Sequence, residues 1–344
     1  MKVPILTITG HYDADQVGAL SFYREHMRYG DPAARARHFL VIGPWDHAGT
    51  RTPAKEVGGL TFGDASLVDM NELHRAWYDW TMKGGPKPDF LKKRVAYYVA
   101  GPGAETWKYA DDLDSIAPER RTLYLSAPAA AGESAASGSD VFHSGTLAPG
   151  IRPETRPSPP ERWTYDPRDL RYGEIEEKEV ASFATDQTAA LHLFGAGVVY
   201  HSEPFAEATE IAGQVRLSLW LALDVPDTDL QANLYEILPD GGSVLLSYDQ
   251  LRARYRESFS RERLAVPGAV LRYDFGRFTW FARRIGKGSR LRLVVQSLNS
   301  SQWEKNYGSG KKVAEESGAD ARVAHVALYH DADHPSLLEL PIAH

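Results

Sequence analysis

Two ionisable residues, Asp13 in "HYDADQVGAL" and His47 in "VIGPWDHAGT", each follow a short run of buried-strand character. The runs are "PILTITG" (4–10) and "HFLVIG" (38–43), β-branched or apolar and ending in glycine, as parallel strands covered on both faces do. In an open α/β sheet, reactive groups collect beyond the carboxyl ends of the strands. A carboxylate that orients an imidazole, which in turn activates a hydroxyl, needs both groups on short loops at one such edge. Asp13 and His47 meet that requirement, and the interval between them holds one helix and one strand. The spacing also fits a plainer arrangement, in which Asp13 caps the next helix and His47 is an ordinary loop histidine. Asp15 is the more natural cap, since helical periodicity begins just after it, and this leaves Asp13 without that task. Trp45, between the strand and His47, is the best placed aromatic to line a pocket.

A serine is the missing partner. The strand–turn–helix elbow that presents a nucleophilic serine reads G-x-S-x-G, and no such pentapeptide occurs. "GESAA" (132–136) lacks the last glycine, and "GSGKK" (308–312) has its serine too early. The reading therefore places the nucleophile in sequence N-terminal to Met1.

The elements that must position this pair are legible in outline. "QVGALSFYREHM" (16–27) spaces Val17, Leu20, Phe22 and Met27 as a helix, and "LVDMNELHRAWYDWTMKGG" (67–85) places Met70, Leu73, Trp77, Trp80 and Met82 on one face before Gly84-Gly85 stop it. Strand, helix, strand, helix predicts an α/β unit over residues 1–85. From Pro86 onward, runs such as "RVAYYVAG", "GQVRLSLWLAL", "LQANLYEIL", "SVLLSYDQLRARYR", "AVLRYDFGRFTW" and "SRLRLVVQS" alternate without intervening helices. They predict a β-sandwich of jelly-roll type over residues 86–344. Two loops, 127–140 and 149–160, are expected to interrupt it. The fold class is thus α/β followed by β.

Composition removes several function classes. The net charge of −7 lacks the basic footprint that nucleic-acid binding requires. No apolar run of membrane-spanning length occurs. With zero cysteines, neither a thiol nucleophile nor a thiolate metal site is available, and both a cytoplasmic and an exported location fit. Asp224, Asp227 and Asp229 fit a turn better than a calcium loop, which takes six to eight oxygens. Arg252, Arg254 and Arg256 alternate as one solvated or ion-paired strand face. His325, His330, His334 and His344 are too scattered for zinc.

Taken together, "VPILTITGHYD", "HFLVIGPWDH", "WYDWTMKG" (77–84), "DTDLQANLYEILPDG" (227–241), "LRARYRES" (251–258) and "EKNYGSG" (304–310) resemble, in that order, motifs of the CocE/NonD family of serine hydrolases. That family includes cocaine-esterase-like enzymes, α-amino-acid ester hydrolases and Xaa-Pro dipeptidyl-peptidases. The resemblance implies the C-terminal part of an α/β-hydrolase domain followed by a jelly roll. It implies that Asp13 is the triad acid and His47 the general base, with an upstream α/β-hydrolase segment bringing the serine. It implies an ester, amide or peptide substrate, an acyl-enzyme, and no cofactor or metal. His11 stands where the family usually has tryptophan; it would compete for Asp13 or line the acyl pocket. The exposed parallel edge would pair with the upstream segment or drive self-association into a homo-oligomer. The sandwich alone supports a second reading, a non-catalytic binding module for a glycan or protein partner.

Overall fold

The structure, a computed structural model, describes residues 2–128, 141–150, 159–178 and 181–343. Most of each expected loop, 129–140 and 151–158, lies outside the described residues, as does His344. Strand β1 (Ile5–Tyr12) and strand β2 (His38–Asp46) run parallel, in register from Ile5 opposite His38 to Gly10 opposite Gly43. Alternation along β2 serves two covers. Leu40 and Ile42 pack with Leu20 and Tyr23 of helix α1 (Gln16–Tyr29), while Phe39 and Val41 pack with Met70, Leu73 and Trp77 of the helix Met70–Lys83. Asp69 caps that second helix by accepting from the Glu72 amide, and Gly84 at φ 74° ends it.

Both helices form, with shifted faces. In α1 the buried positions are Gln16, Leu20, Tyr23 and His26, whereas Phe22 is exposed. Met82 also points to water, because it lies outside the Met70–Leu73–Trp77 stripe. The α/β sheet does not stop at residue 85. Strand Val95–Val99 adds to β2 in parallel and Thr106–Ala110 closes the sheet antiparallel, so its last strand ends at Ala110. Val95–Val99 is buried on both faces, the mark of a parallel strand, which its place after Pro86 obscured. In this sheet β1 is an edge strand among the described residues.

Among the described residues, most of the rest is one 13-stranded sheet folded around a main core in which Leu217, Leu219, Leu221, Leu234, Tyr273, Leu293 and Leu340 are fully buried, with a smaller cluster of Val199, Tyr235, Ile237 and Val294 beside it. Several of its strands escape a sequence reading. Leu337–Ile342 contains Pro341, which argues against a strand interior, and Glu161–Tyr165 is a short piece close behind Pro159-Pro160. The arginine stripe is also corrected. Strand Ser243–Arg252 ends at its first arginine, and Ala253–Tyr255 turns as a 3₁₀ helix that buries Arg254.

Asp224, Asp227 and Asp229 are committed to protein partners. Arg254 Nε donates to Asp227 Oδ2 at 2.7 Å and its backbone amide to Oδ1 at 2.9 Å. Arg252 donates to both oxygens of Asp229, and Asn306 Nδ2 bridges the two carboxylates at 2.8 and 2.9 Å. Asp224 pairs with His325. Removing one partner from a buried ion pair strands the other charge. Arg254→Ala is therefore expected to cost about 3–5 kcal/mol, read from urea unfolding; a loss under about 1 kcal/mol would show that water replaces the guanidinium.

Candidate active site

The chain reaches this site through a crowded crossing. The β1–β2 register shifts between Gly10 and Tyr12, so that Tyr12 faces Asp46. Trp45 folds into the space this leaves, fully buried, and its indole Nε1 donates to the Ser66 carbonyl at 2.9 Å. A Cβ on Gly10 would lie 2.0 Å from the Trp45 carbonyl oxygen, and one on Gly43 would lie 2.2 Å from the Trp45 ring. The two glycines are what let the strand ends approach. Strand β1 runs two residues further than expected, so Asp13 and His47 each follow directly on a strand.

They meet. His47 Nδ1 lies 2.9 Å from Asp13 Oδ1. Asp13 is 4% exposed and His47 49%, so a buried carboxylate holds an imidazole whose far side is open. Asp13 Oδ2 accepts from the Thr9 hydroxyl at 2.8 Å, and Oδ1 also accepts from the Asp15 amide at 3.0 Å. A carboxylate that only accepts assigns the proton to His47 Nδ1 and leaves Nε2 as the lone-pair nitrogen. Arg51 Nη2 stands 3.5 Å from that Nε2. This is the tautomer a general base needs.

Other expectations are revised. Asp15 makes no side-chain cap to α1; Asp13 instead accepts from the amides of the turn, its carbonyl taking the Gln16 amide at 3.0 Å. Trp45 packs among Phe39, Val41, Met70 and Trp77 instead of facing a pocket. His11 does not compete for Asp13, whose oxygens are taken by Thr9, Asp15 and His47. It is 4% exposed and packs against Trp280 with ring centroids 5.7 Å apart, away from open space. Burial, reinforced by the nearby Arg283 charge, lowers its pKa to about 3.

Asp13, Asp15 and His47 offer three donor atoms within 4.8 Å of one another. The Asp13 oxygens are already engaged and Asp15 is exposed, so these groups read as a hydrogen-bonded set. His325, His330 and His334 each face a different carboxylate.

Sequence reasoning missed Thr9, Gln16 and Tyr248. The signal for Gln16 was its place one turn before Leu20 on the face that α1 buries. Tyr248, on strand Ser243–Arg252, has its phenol pKa raised by burial and then by the Asp13 charge. Tyr12 donates to the Leu245 carbonyl at 3.0 Å. Beside them opens a cleft of about 310 Å³ whose lining includes Tyr12, Phe183, Asn233, Tyr248, Gln250 and Trp303.

Residues 90–339 match a family model described as the X-Pro dipeptidyl-peptidase C-terminal non-catalytic domain. Cocaine esterase from Rhodococcus sp. (strain MB1 Bresler) is 25% identical over 354 residues, covering 99% of this chain and 57% of that protein. The chain thus spans somewhat over half the length of that curated relative. An aminopeptidase from the marine sediment archaeon Thaumarchaeota archaeon shares the fold at a TM-score of 0.82 and 23% identity, over 100% of this chain and 55% of that one. For an α-amino acid ester hydrolase the values are 0.81 and 22%, over 99% and 56%. A CocE/NonD family hydrolase from Staphylococcus aureus gives 0.63 and 16%, over 99% and 55%.

The buried histidines set a pH dependence. His11 (about 3), His38 (about 4) and His201 (about 4) have pKa values lowered mainly by burial, so the folded chain holds them neutral. The unfolded chain protonates them near 6.5 and binds more protons below that, so stability rises with pH between about 4 and 6.5. Asp249, raised to about 6 by burial, works the other way from about 4 to 6. Asp227, also raised by burial, acts in the same direction as Asp249, and the three histidines outweigh the two carboxyls. His11→Phe is expected to reduce the slope of unfolding free energy against pH by about one proton between pH 4 and 6. An unchanged slope in urea titrations would mean His11 is charged in the fold.

Proposed function

The chain belongs to the X-Pro dipeptidyl-peptidase C-terminal domain family and is CocE/NonD-like, and on that premise we propose that it is part of a serine hydrolase acting on ester or amide bonds. Asp13 and His47 are the acid and base of its triad, and the serine is supplied by sequence upstream of Met1. The observation that carries this reading is the 2.9 Å contact between a buried Asp13 and a half-exposed His47. Among the described residues no serine hydroxyl bonds to His47, whose side-chain contacts are Asp13, Asp15 and Arg51.

In this scheme His47 Nε2 takes the proton of the serine hydroxyl as its oxygen attacks the carbonyl carbon. The imidazolium gives that proton to the leaving alcohol or amine as the acyl-enzyme forms. Water then attacks the acyl-enzyme with His47 again as base, which frees the acid and restores the serine. Asp13 keeps the Nδ1–H tautomer and stabilises the transient imidazolium. In this reading the four-stranded sheet that ends at Ala110, with its two helices, is the last portion of an α/β-hydrolase sheet, and the edge of β1 receives the upstream segment.

A second reading, a binding module for a glycan or protein, is favoured by the aromatic and amide lining of the 310 Å³ cleft and by the non-catalytic description of the matched domain. Specific retardation of the whole chain in glycan affinity gels would support it.

Triad members act as a unit, so in the chain joined to its upstream segment His47→Ala is expected to lower kcat by roughly 10⁴–10⁶-fold. Retained ester and amide hydrolysis would end the assignment. The chain alone, treated with a fluorophosphonate, should show no mass increase; a stoichiometric adduct would mean that a serine of this chain is the nucleophile.

A further inference from the structure

Gln16, the first residue of α1, is a fully buried amide whose two N–H groups and carbonyl oxygen are all hydrogen-bonded. Its Nε2 donates to the Gly10 carbonyl at 2.9 Å and to the Trp280 carbonyl at 2.7 Å, while its Oε1 accepts from the Trp280 amide at 2.6 Å. Gly10 belongs to β1, three residues before Asp13, and the same carbonyl also receives the Asp13 amide at 3.3 Å. The Gln16 backbone amide donates to the Asp13 carbonyl at 3.0 Å. One side chain therefore closes the turn that carries Asp13 and joins it to a backbone segment 264 residues away.

That segment is itself anchored. Trp280 directly precedes strand Phe281–Ile285. The Thr279 amide donates to the Tyr248 carbonyl, the Ser247 hydroxyl donates to the Thr279 carbonyl, and the Arg277 amide donates to Asp249 Oδ2. Strand Ser243–Arg252 of the sandwich thus fixes Trp280, and Trp280 fixes Gln16. An amide paired to both the N–H and C=O of one residue imitates a strand pairing, and it cannot shift without stranding buried backbone groups.

We infer that Gln16 is a positioning residue, which holds the Asp13 carboxylate against His47 by clamping the Asp13 turn to the sandwich backbone at Trp280. The inference rests on the reading of Asp13 and His47 as an acid–base pair. It gives a domain described as non-catalytic a defined part in the site: it sets where the acid stands.

The test uses the chain as it is. A histidine Nδ1–H donated to a buried carboxylate gives a low-field proton resonance, identified here by its disappearance in Asp13→Asn. Gln16→Met keeps the volume and removes all three side-chain bonds; Gln16→Glu keeps an acceptor for the Trp280 amide and removes both donations. In both variants the low-field resonance should vanish or broaden at pH 7 while near-UV circular dichroism stays native. An unchanged resonance in either folded variant overturns the inference.

Hydrogen exchange in the unsubstituted chain decides the matter even where both variants fail to fold. The Trp280 and Gln16 amides should open together, with protection factors within about threefold. A difference of about a hundredfold or more would show that the clamp and the Asp13 turn move independently. If the unsubstituted chain shows no low-field resonance sensitive to Asp13→Asn, the acid–base reading itself fails, a result distinct from an intact resonance indifferent to Gln16.

Discussion

The close approach of β1 and β2 at Trp45 governs the rest of the site. A parallel pair normally keeps its strand ends apart, and the loops beyond them diverge. Here two glycines face one another; the backbone of Trp45 lies where a Gly10 side chain would have been, and its indole where a Gly43 side chain would have been. Gly49 extends the same constraint, since a Cβ there would lie 2.6 Å from the Trp45 Cβ. With the ring buried and its N–H held by Ser66, the end of β2 is fixed beside β1, where Asp46 pairs with Tyr12. That pairing brings the residue after Asp46 onto the residue after Tyr12. The acid–imidazole contact is in this sense a product of packing: an indole fills a gap that glycine leaves, and two polar groups are carried together.

Packing alone would leave a buried carboxylate at considerable cost. Asp13 is sustained by a hydroxyl, a backbone amide and an imidazole, which between them use both of its oxygens. The neighbouring ionisable groups are arranged so as not to take that place. His11, two residues earlier, is held neutral by burial, and Arg283 beside it is paired with Glu236, which is itself fully buried. A protonated His11 or an unpaired arginine would be a rival for the Asp13 carboxylate. Neutral His11 and occupied Arg283 leave His47 as the partner of Asp13.

How much of this was legible in the sequence follows from the kind of force involved. Local signals sufficed for β1, β2, α1 and the helix Met70–Lys83, because periodicity and glycine stops act within a few residues. The meeting of Asp13 and His47 could be anticipated for the same reason: it requires only that both lie at strand ends in one parallel pair. The surroundings of His11 and Gln16 were not legible, since both depend on Trp280 far along the chain, and that of Trp45 depends on Ser66 and the second helix, outside its own strand. Gln16 reads as an ordinary polar residue in a first helical turn until Trp280 is beside it. The arginine stripe failed on a related point. Alternation of Arg252, Arg254 and Arg256 mimics a strand, but the buried bond from Arg254 to Asp227 supports a turn instead. The sheet boundary was misplaced because Val95–Val99 carries no periodicity that separates a buried parallel strand from one in a sandwich.

The two sheets are consequently not a working part and a passive appendage. Ala100 exchanges backbone bonds with Ala282 and Arg284, a bridge from the α/β sheet into strand Phe281–Ile285, one residue beyond the Gln16 clamp. Trp280 between them presents its ring to His11 and Tyr97 while its backbone serves Gln16. A displacement of the sandwich at this point would have to break backbone pairing, ring packing and a buried amide at once. Each alone is worth on the order of 1 kcal/mol, but none can yield without the others, so the junction behaves as one unit. That coupling is why the Asp13 carboxylate can stand in a fixed place on a loop rather than inside a strand: the turn is tied through Gln16 to the sandwich backbone at Trp280.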